Sequence, residues 1–226
     1  MVEHIKTKTS NVSNIAHNST KESAVLNEYS KLASEYDRRW SFYIIATLRE
    51  TLKRLKIKPT DRLLDIGCGT GSLLQAISQK YPTVDSVGID LSTEMLKVAC
   101  NKRIKKCGLA TGQAQRLPFR SESFDIVLSC NAFHYWRKPE ECLSEMSRVL
   151  KPQGKIVITD WCDDYIVCRI CDLFLRMFNH AHFKTYGLRS CEQMLRNAGY
   201  SNIQVERYKI NWLWGLMTAK AQANIV

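Results

Sequence analysis

The run Asp65-Ile66-Gly67-Cys68-Gly69-Thr70-Gly71 constrains this chain more than any other. It follows the apolar pair Leu63-Leu64 and precedes Ser72-Leu73-Leu74, where apolar residues start to recur with a helical period. The pattern predicts a strand over about 62–66, a glycine-dense turn, and a helix over 71–80. Glycine permits positive φ and lets a ligand approach the bare main chain. The helix start offers free N–H groups at the positive end of its dipole, which suits an anionic or carboxylate-bearing ligand. Two common loops do not match. The dinucleotide pattern G-x-G-x-x-G needs a third glycine where Ser72 stands, and no lysine follows these glycines as a phosphate loop requires.

Three further segments follow. Val87-Gly88-Ile89-Asp90 reads as a second strand, and Ser92 as the cap of the next helix. Asp90 falls 19 residues after Gly71, near the interval at which doubly wound folds set a carboxylate on ribose hydroxyls. Thr111-Gly112-Gln113-Ala114-Gln115-Arg116-Leu117-Pro118-Phe119 comes next. Ser123-Phe124-Asp125-Ile126-Val127-Leu128-Ser129-Cys130-Asn131-Ala132-Phe133-His134-Tyr135-Trp136 then reads as a buried strand and a ligand-facing loop. Arg148-Val149-Leu150-Lys151-Pro152-Gln153-Gly154 closes a helix and opens another strand.

These segments, in this order, resemble the class I S-adenosylmethionine-dependent methyltransferases, most nearly the small-molecule type that includes ubiquinone and menaquinone biosynthesis enzymes. The resemblance is strong over about 60–160. It implies a Rossmann-like, doubly wound α/β fold with a seven-stranded, mostly parallel sheet, one antiparallel edge strand and an N-terminal helical lid. It implies S-adenosyl-L-methionine as cofactor and S-adenosyl-L-homocysteine as product. The implied donor-binding residues are Asp65, Gly67, Cys68, Gly69 and Gly71 in the loop, then Asp90, Leu91 and Met95, then Gln113 and Ala114, and finally Asn131. At 113 the family commonly has Asp, which contacts the adenine amino group. The Gln113 amide oxygen can accept the same bond. Tyr36-Asp37-Arg38-Arg39-Trp40 resembles the family's lid, and Tyr36 is the aromatic expected against the sulfonium.

A chain of 226 residues fits one α/β domain. The expected layout is a disordered tail at 1–20 and a single domain over 21–226. Within it, 21–58 holds helices 21–36 and 40–57, 60–160 binds the donor, and 161–226 supplies substrate-side helices (165–178 and 189–198) and an edge hairpin (201–209 and 211–221). No run of 18 apolar residues exists, and the first residues lack the apolar core of a secretory signal, so a cytoplasmic protein is expected. Nine cysteines, an odd number, then read as free thiols in a reducing compartment. The net charge is +11, with seven Lys or Arg and no Asp or Glu between Lys97 and Arg120. Such runs are usually solvated helix faces. They allow weak association with an anionic membrane surface, while the missing aromatic motifs argue against a nucleic acid partner.

His134 is the candidate base, because it follows the fourth strand on the ligand side and histidine as a residue type suits proton transfer at neutral pH. The competing assignment is that it shapes the pocket wall. His180 and His182 form an H-x-H pair without further ligands, so no metal site is expected. Trp161, Phe174, Phe178, Phe183 and Tyr186 are candidates for an apolar acceptor pocket or for ordinary core. The expected function is methyl transfer to a small-molecule acceptor at O, N or C. Rival readings are an RNA or protein substrate, suggested by the basic runs, and arsenite methylation through Cys162, Cys168 and Cys171.

Overall fold

The computed structural model describes residues 30, 32–178 and 182–224. The expected tail at 1–20, most of the helix expected at 21–36, and His180 lie outside them.

Seven strands form one sheet in the order β3-β2-β1-β4-β5-β7-β6. They are β1 (Arg62–Ile66), β2 (Asp85–Asp90), β3 (Cys107–Thr111), β4 (Phe124–Cys130), β5 (Leu150–Trp161), β6 (Tyr200–Lys209) and β7 (Gly215–Ala223). The helices are α1 (Tyr36–Arg39), α2 (Ser41–Arg54), α3 (Ser72–Lys80), α4 (Thr93–Asn101), α5 (Pro139–Val149), α6 (Ile166–Phe178) and α7 (Leu188–Asn197). The first five strands are parallel. β7 runs antiparallel to both β5 and β6, so the antiparallel strand sits one place in from the edge and β6 is outermost.

Strand alternation explains the layering. Leu64 and Ile66 point to a core shared with Ile156 and Ile158, covered by Leu143 and Met146 of α5 and Cys191 and Leu195 of α7. Leu63, Ile126, Leu128 and Val157 point the other way, to Leu73 and Ile77 of α3 and to Leu48 and Leu52 of α2. Buried faces on both sides are why these strands read as continuous apolar runs.

The chain winds outward from β1 through β2 to β3, then returns to place β4 on β1's other side. Connections therefore diverge between β1 and β4, and open α/β sheets form ligand crevices at such a switch point. Leu64 pairs with Val87 on one side and Val127 on the other, which brings the ends of β1, β2 and β4 to a common edge.

Candidate active site

The glycine loop begins where β1 ends. Gly67, Gly69 and Gly71 have φ of 73°, 52° and 75°, a region side chains adopt at a cost. A Cβ on Gly67 would also lie 2.5 Å from the Ala132 Cβ. The main chain thus passes directly against the loop after β4, with no room for a side chain. Gly71 has a different job. It caps the start of α3, and a Cβ there would press on Ala99 and Ile104 at 3.0 Å.

Two carboxylates meet this loop. Asp90 accepts from Gly69 N–H at 2.7 Å through Oδ2 and from Ser92 N–H at 2.9 Å through Oδ1. Each oxygen keeps a further lone pair for a ligand hydroxyl. Ser92 also accepts from Met95 N–H at 3.2 Å, which fixes the start of α4. Asp65 is 1% exposed, and its Oδ1 has no hydrogen-bond partner. Burial, with help from the nearby Asp90 charge, pushes its carboxyl up to about 7. A buried, unmet carboxylate oxygen is expensive to keep. That cost is relieved by a cation or donor entering the cleft.

One cleft is lined by Asp65, Gly67, Cys68, Gly69, Asp90, Leu91, Met95, Gln113, Ala114, Asn131 and Tyr36. All the expected donor residues except Gly71 therefore share one wall system, drawn from five segments of the chain. Thr70, Ser72, Tyr135 and Arg137 line it as well, none of them expected as a donor-site residue, together with Ser92, which was expected only as a helix cap.

The N-terminal helices close over this cleft. Asp37 of α1 accepts from Thr70 Oγ1 at 2.6 Å, from Ser72 Oγ at 3.2 Å and from Lys102 Nζ at 2.6 Å. Burial alone would raise the Asp37 carboxyl, but the bonds from Lys102, Thr70 and Ser72 outweigh it and hold it low. Burial likewise raises the Tyr36 phenol above its ordinary value, so its O–H stays neutral. From α2, Tyr43 donates to Asn131 Oδ1 at 2.6 Å and accepts from Trp161 Nε1 at 2.5 Å. Asn131 stands at φ 59°, and its N–H donates to Thr159 O. Tyr43, Trp161 and Trp214 meet edge to face.

His134 is not among the cleft-lining residues. It is 4% exposed, in a short 3-10 turn at Phe133–Tyr135. Its Nδ1 lies 2.7 Å from Asp160 Oδ1, and its N–H donates to Asp160 Oδ2 at 3.1 Å. Trp161 stacks on the ring, and the His134 carbonyl accepts from Phe183 and Lys184 N–H. His182 Nε2 pairs with Asp172 Oδ1 at 2.8 Å, and its ring centre is 5.4 Å from that of His134. Among the described residues no group of three His, Cys, Asp or Glu could hold a metal ion. The aromatic candidates divide. Trp161 faces Tyr43 and Tyr186 is buried core, whereas Phe174 and Phe178 are exposed.

Residues 64–158 match the family model described as a methyltransferase domain. The chain is 32% identical over 154 residues to a demethylmenaquinone methyltransferase of Lactobacillus johnsonii, covering 63% of each protein. It is 28% identical over 151 residues to a malonyl-[acyl-carrier protein] O-methyltransferase of Methylococcus capsulatus, covering 66% of this chain and 54% of that protein. It therefore spans between half and two thirds of these two relatives. A SAM-dependent methyltransferase of Thermotoga maritima shares the fold, with a TM-score of 0.72 at 20% identity over 88% of this chain and all of that one. Over residues 64–158 this chain therefore resembles the S-adenosylmethionine-dependent methyltransferases, whose fold it shares.

The cleft fits the donor of that family. A Cβ at Gly69 would meet nothing within 4 Å, which leaves room for a ligand, and the orphaned Asp65 oxygen offers an acceptor to an ammonium group. Asp90 offers its remaining lone pairs to a diol.

Proposed function

We propose that this methyltransferase moves a methyl group from S-adenosyl-L-methionine to a small-molecule acceptor and releases S-adenosyl-L-homocysteine. The observation that carries this reading is the unpartnered Asp65 oxygen, buried in a cleft whose other walls are the glycine loop and Asp90. The relatives support a small acceptor, since their names specify demethylmenaquinone, a malonyl carrier and phosphoethanolamine.

When bound, the donor supplies an electrophilic methyl on a sulfonium. The chain's own contribution is then alignment and the exclusion of water. Asp65 holds the donor's ammonium, Asp90 its ribose hydroxyls, and Gln113 with Ala114 its adenine. Gly67, Cys68, Gly69, Leu91, Met95 and Asn131 shape the surrounding wall, and Tyr36 covers the sulfonium. Gly71 acts indirectly, by allowing α3 and α4 to approach. With Asp160 on Nδ1, the basic nitrogen of His134 is Nε2. His134 serves as base only for an acceptor that reaches that nitrogen; otherwise the His134–Asp160 pair fixes the wall beside Tyr135. We take residues 21–226 as one catalytic domain working in the cytoplasm, with 21–58 as its lid.

The two rivals draw less support. Lys102, in the basic run, is bonded to Asp37 and Ser72 and so serves the lid. Burial pushes the Cys162 thiol up to about 12, and Cys168 Sγ is bonded to Gly215 O, both poor settings for capturing arsenite.

Calorimetry with S-adenosyl-L-homocysteine tests the donor site, and homocysteine-product release against a panel of quinol, phenol, amine and carboxylate acceptors tests the transfer. Absence of donor binding sinks the proposal. Turnover only with RNA or protein would move the acceptor class.

A further inference from the structure

Helix α6 carries its apolar residues on the wrong side for a core. Ile166, Ile170, Leu173, Phe174, Met177 and Phe178 recur at helical spacing and are 59–75% exposed. The buried side of the helix instead holds Cys168 and Asp172. Soluble chains seldom expose so much contiguous apolar surface without a partner.

The charges on this helix are one-sided. Its other exposed residues are Arg169 and Arg176. Its single acid, Asp172, faces inward, where it accepts from His182 Nε2 and Thr185 N–H, with Arg176 at 3.7 Å. Arg207 and Lys209 stand over the ring of Tyr165, one residue before the helix. The nearby β6–β7 loop exposes Trp212 at 83%. That loop is tied to α6, because Cys168 Sγ bonds the Gly215 backbone. Apolar side chains, flanking arginines and an exposed tryptophan are what an interfacial helix presents to a lipid surface.

We propose that the exposed face of α6, with Trp212, docks this chain on an anionic lipid bilayer. Charge complementarity selects this occupant. The chain is +11, and the only charged residues among the exposed positions of α6 itself are Arg169 and Arg176, with Asp172 behind Arg176 and Asp163 and Asp164 of the preceding turn beside Arg169. Two copies joined through this face would set Arg169 and Arg176 against each other, which disfavours self-association. The attachment is peripheral, as no helix among the described residues is long and apolar enough to cross a membrane. α6 leaves the carboxyl end of β5, the sheet edge on which the cleft opens, so docking sets the acceptor side of the cleft toward the bilayer. The inference does not depend on methyl transfer, since lipid binding is read without turnover.

The test is co-sedimentation of the full chain with phosphatidylcholine vesicles, with and without phosphatidylglycerol. We expect binding to the anionic vesicles, weakening as salt rises. Phe174→Glu with Met177→Glu should lower the vesicle partition by at least about tenfold, with S-adenosyl-L-homocysteine affinity unchanged as proof of folding. No binding to anionic vesicles, or equal binding by the double variant, overturns the proposal. So does sedimentation equilibrium in which the chain dimerises and the double variant does not, because the face would then belong to a second copy.

Discussion

The two halves of the sheet edge handle their carboxylates in opposite ways. At the ends of β1 and β2, Asp65 leaves Oδ1 unmet and Asp90 takes only backbone N–H groups. At the end of β5, Asp160 accepts from the His134 main chain and the Trp161 N–H and pairs with the His134 ring. One half therefore holds binding capacity in reserve, and the other spends its capacity on itself. Reserve capacity marks where a ligand is expected. Self-satisfied networks mark where geometry is being fixed, even when the residue type, here histidine, suggests proton transfer.

The largest effect should come from removing the reserve. Asp90→Ala deprives the donor of its diol acceptor and orphans the Gly69 N–H, a loss of roughly 1.5–3 kcal/mol. Calorimetry should show S-adenosyl-L-homocysteine binding weaker by about 10- to 150-fold. An affinity within twofold of the parent would break the assignment of Asp90 to the donor.

Asp65 sharpens the same side through pH. Burial raises its carboxyl to about 7, above the ordinary 3.8, so the folded chain holds a proton that the unfolded chain releases. Its stabilising contribution is then present below about pH 4 and is lost as pH rises through 7. Donor affinity should run the other way, because the ionised form pairs with an ammonium. Between pH 5.5 and 7.5 the dissociation constant should fall by up to about tenfold per unit. Asp65→Asn should flatten that slope; a slope that survives the substitution assigns the titration elsewhere.

On the self-satisfied side, Asp160→Asn leaves a carbonyl for the backbone donors but loses charge against the His134 ring. We expect roughly 1–3 kcal/mol of lost stability, read by denaturant unfolding. If His134 only fixes the wall, His134→Ala and Asp160→Asn should lower turnover together while the rate keeps its pH profile. Loss of the acidic limb, where protonation of a base slows the reaction, would instead make His134 the base.

Local chemistry was legible in the sequence, and long-range partnership was not. The glycine spacing, Asp65 and Asp90 announce themselves because each stands in a short motif at the end of an apolar strand, even though the bond from Gly69 N–H to Asp90 spans 21 residues. The sheet follows from apolar runs and capping residues in the same way, and Ser92 caps α4 as its position implies. Gly71 looks like its neighbours in the motif, yet it serves helix packing, because spacing does not say which glycine turns toward a ligand. The periodicity of 165–178 predicts a helix but not what covers its apolar face, so Phe174 and Phe178, candidates for an acceptor pocket or for ordinary core, stand exposed instead. His134–Asp160 and Asp37–Lys102 are separated by 26 and 65 residues and leave no local trace.

The smallest effect concerns the contact that joins the two regimes. Asp37 is bonded to Thr70 and Ser72, both cleft residues, and to Lys102, so the lid is fastened to the donor loop. Asp37 keeps 40% of its side chain exposed, so solvent screening limits the ion pair to about 0.5 kcal/mol. Its depressed carboxyl contributes above its unfolded value and loses that contribution as the solution is acidified. Asp37→Asn should raise the donor KM by about two- to threefold and leave kcat nearly intact. Lys102→Ala alone should do the same, and the double variant should cost little more than either, because both break one fastening. Fully additive losses would show that the two residues act separately, and the lid would then be held by Tyr43 and its bond to Asn131.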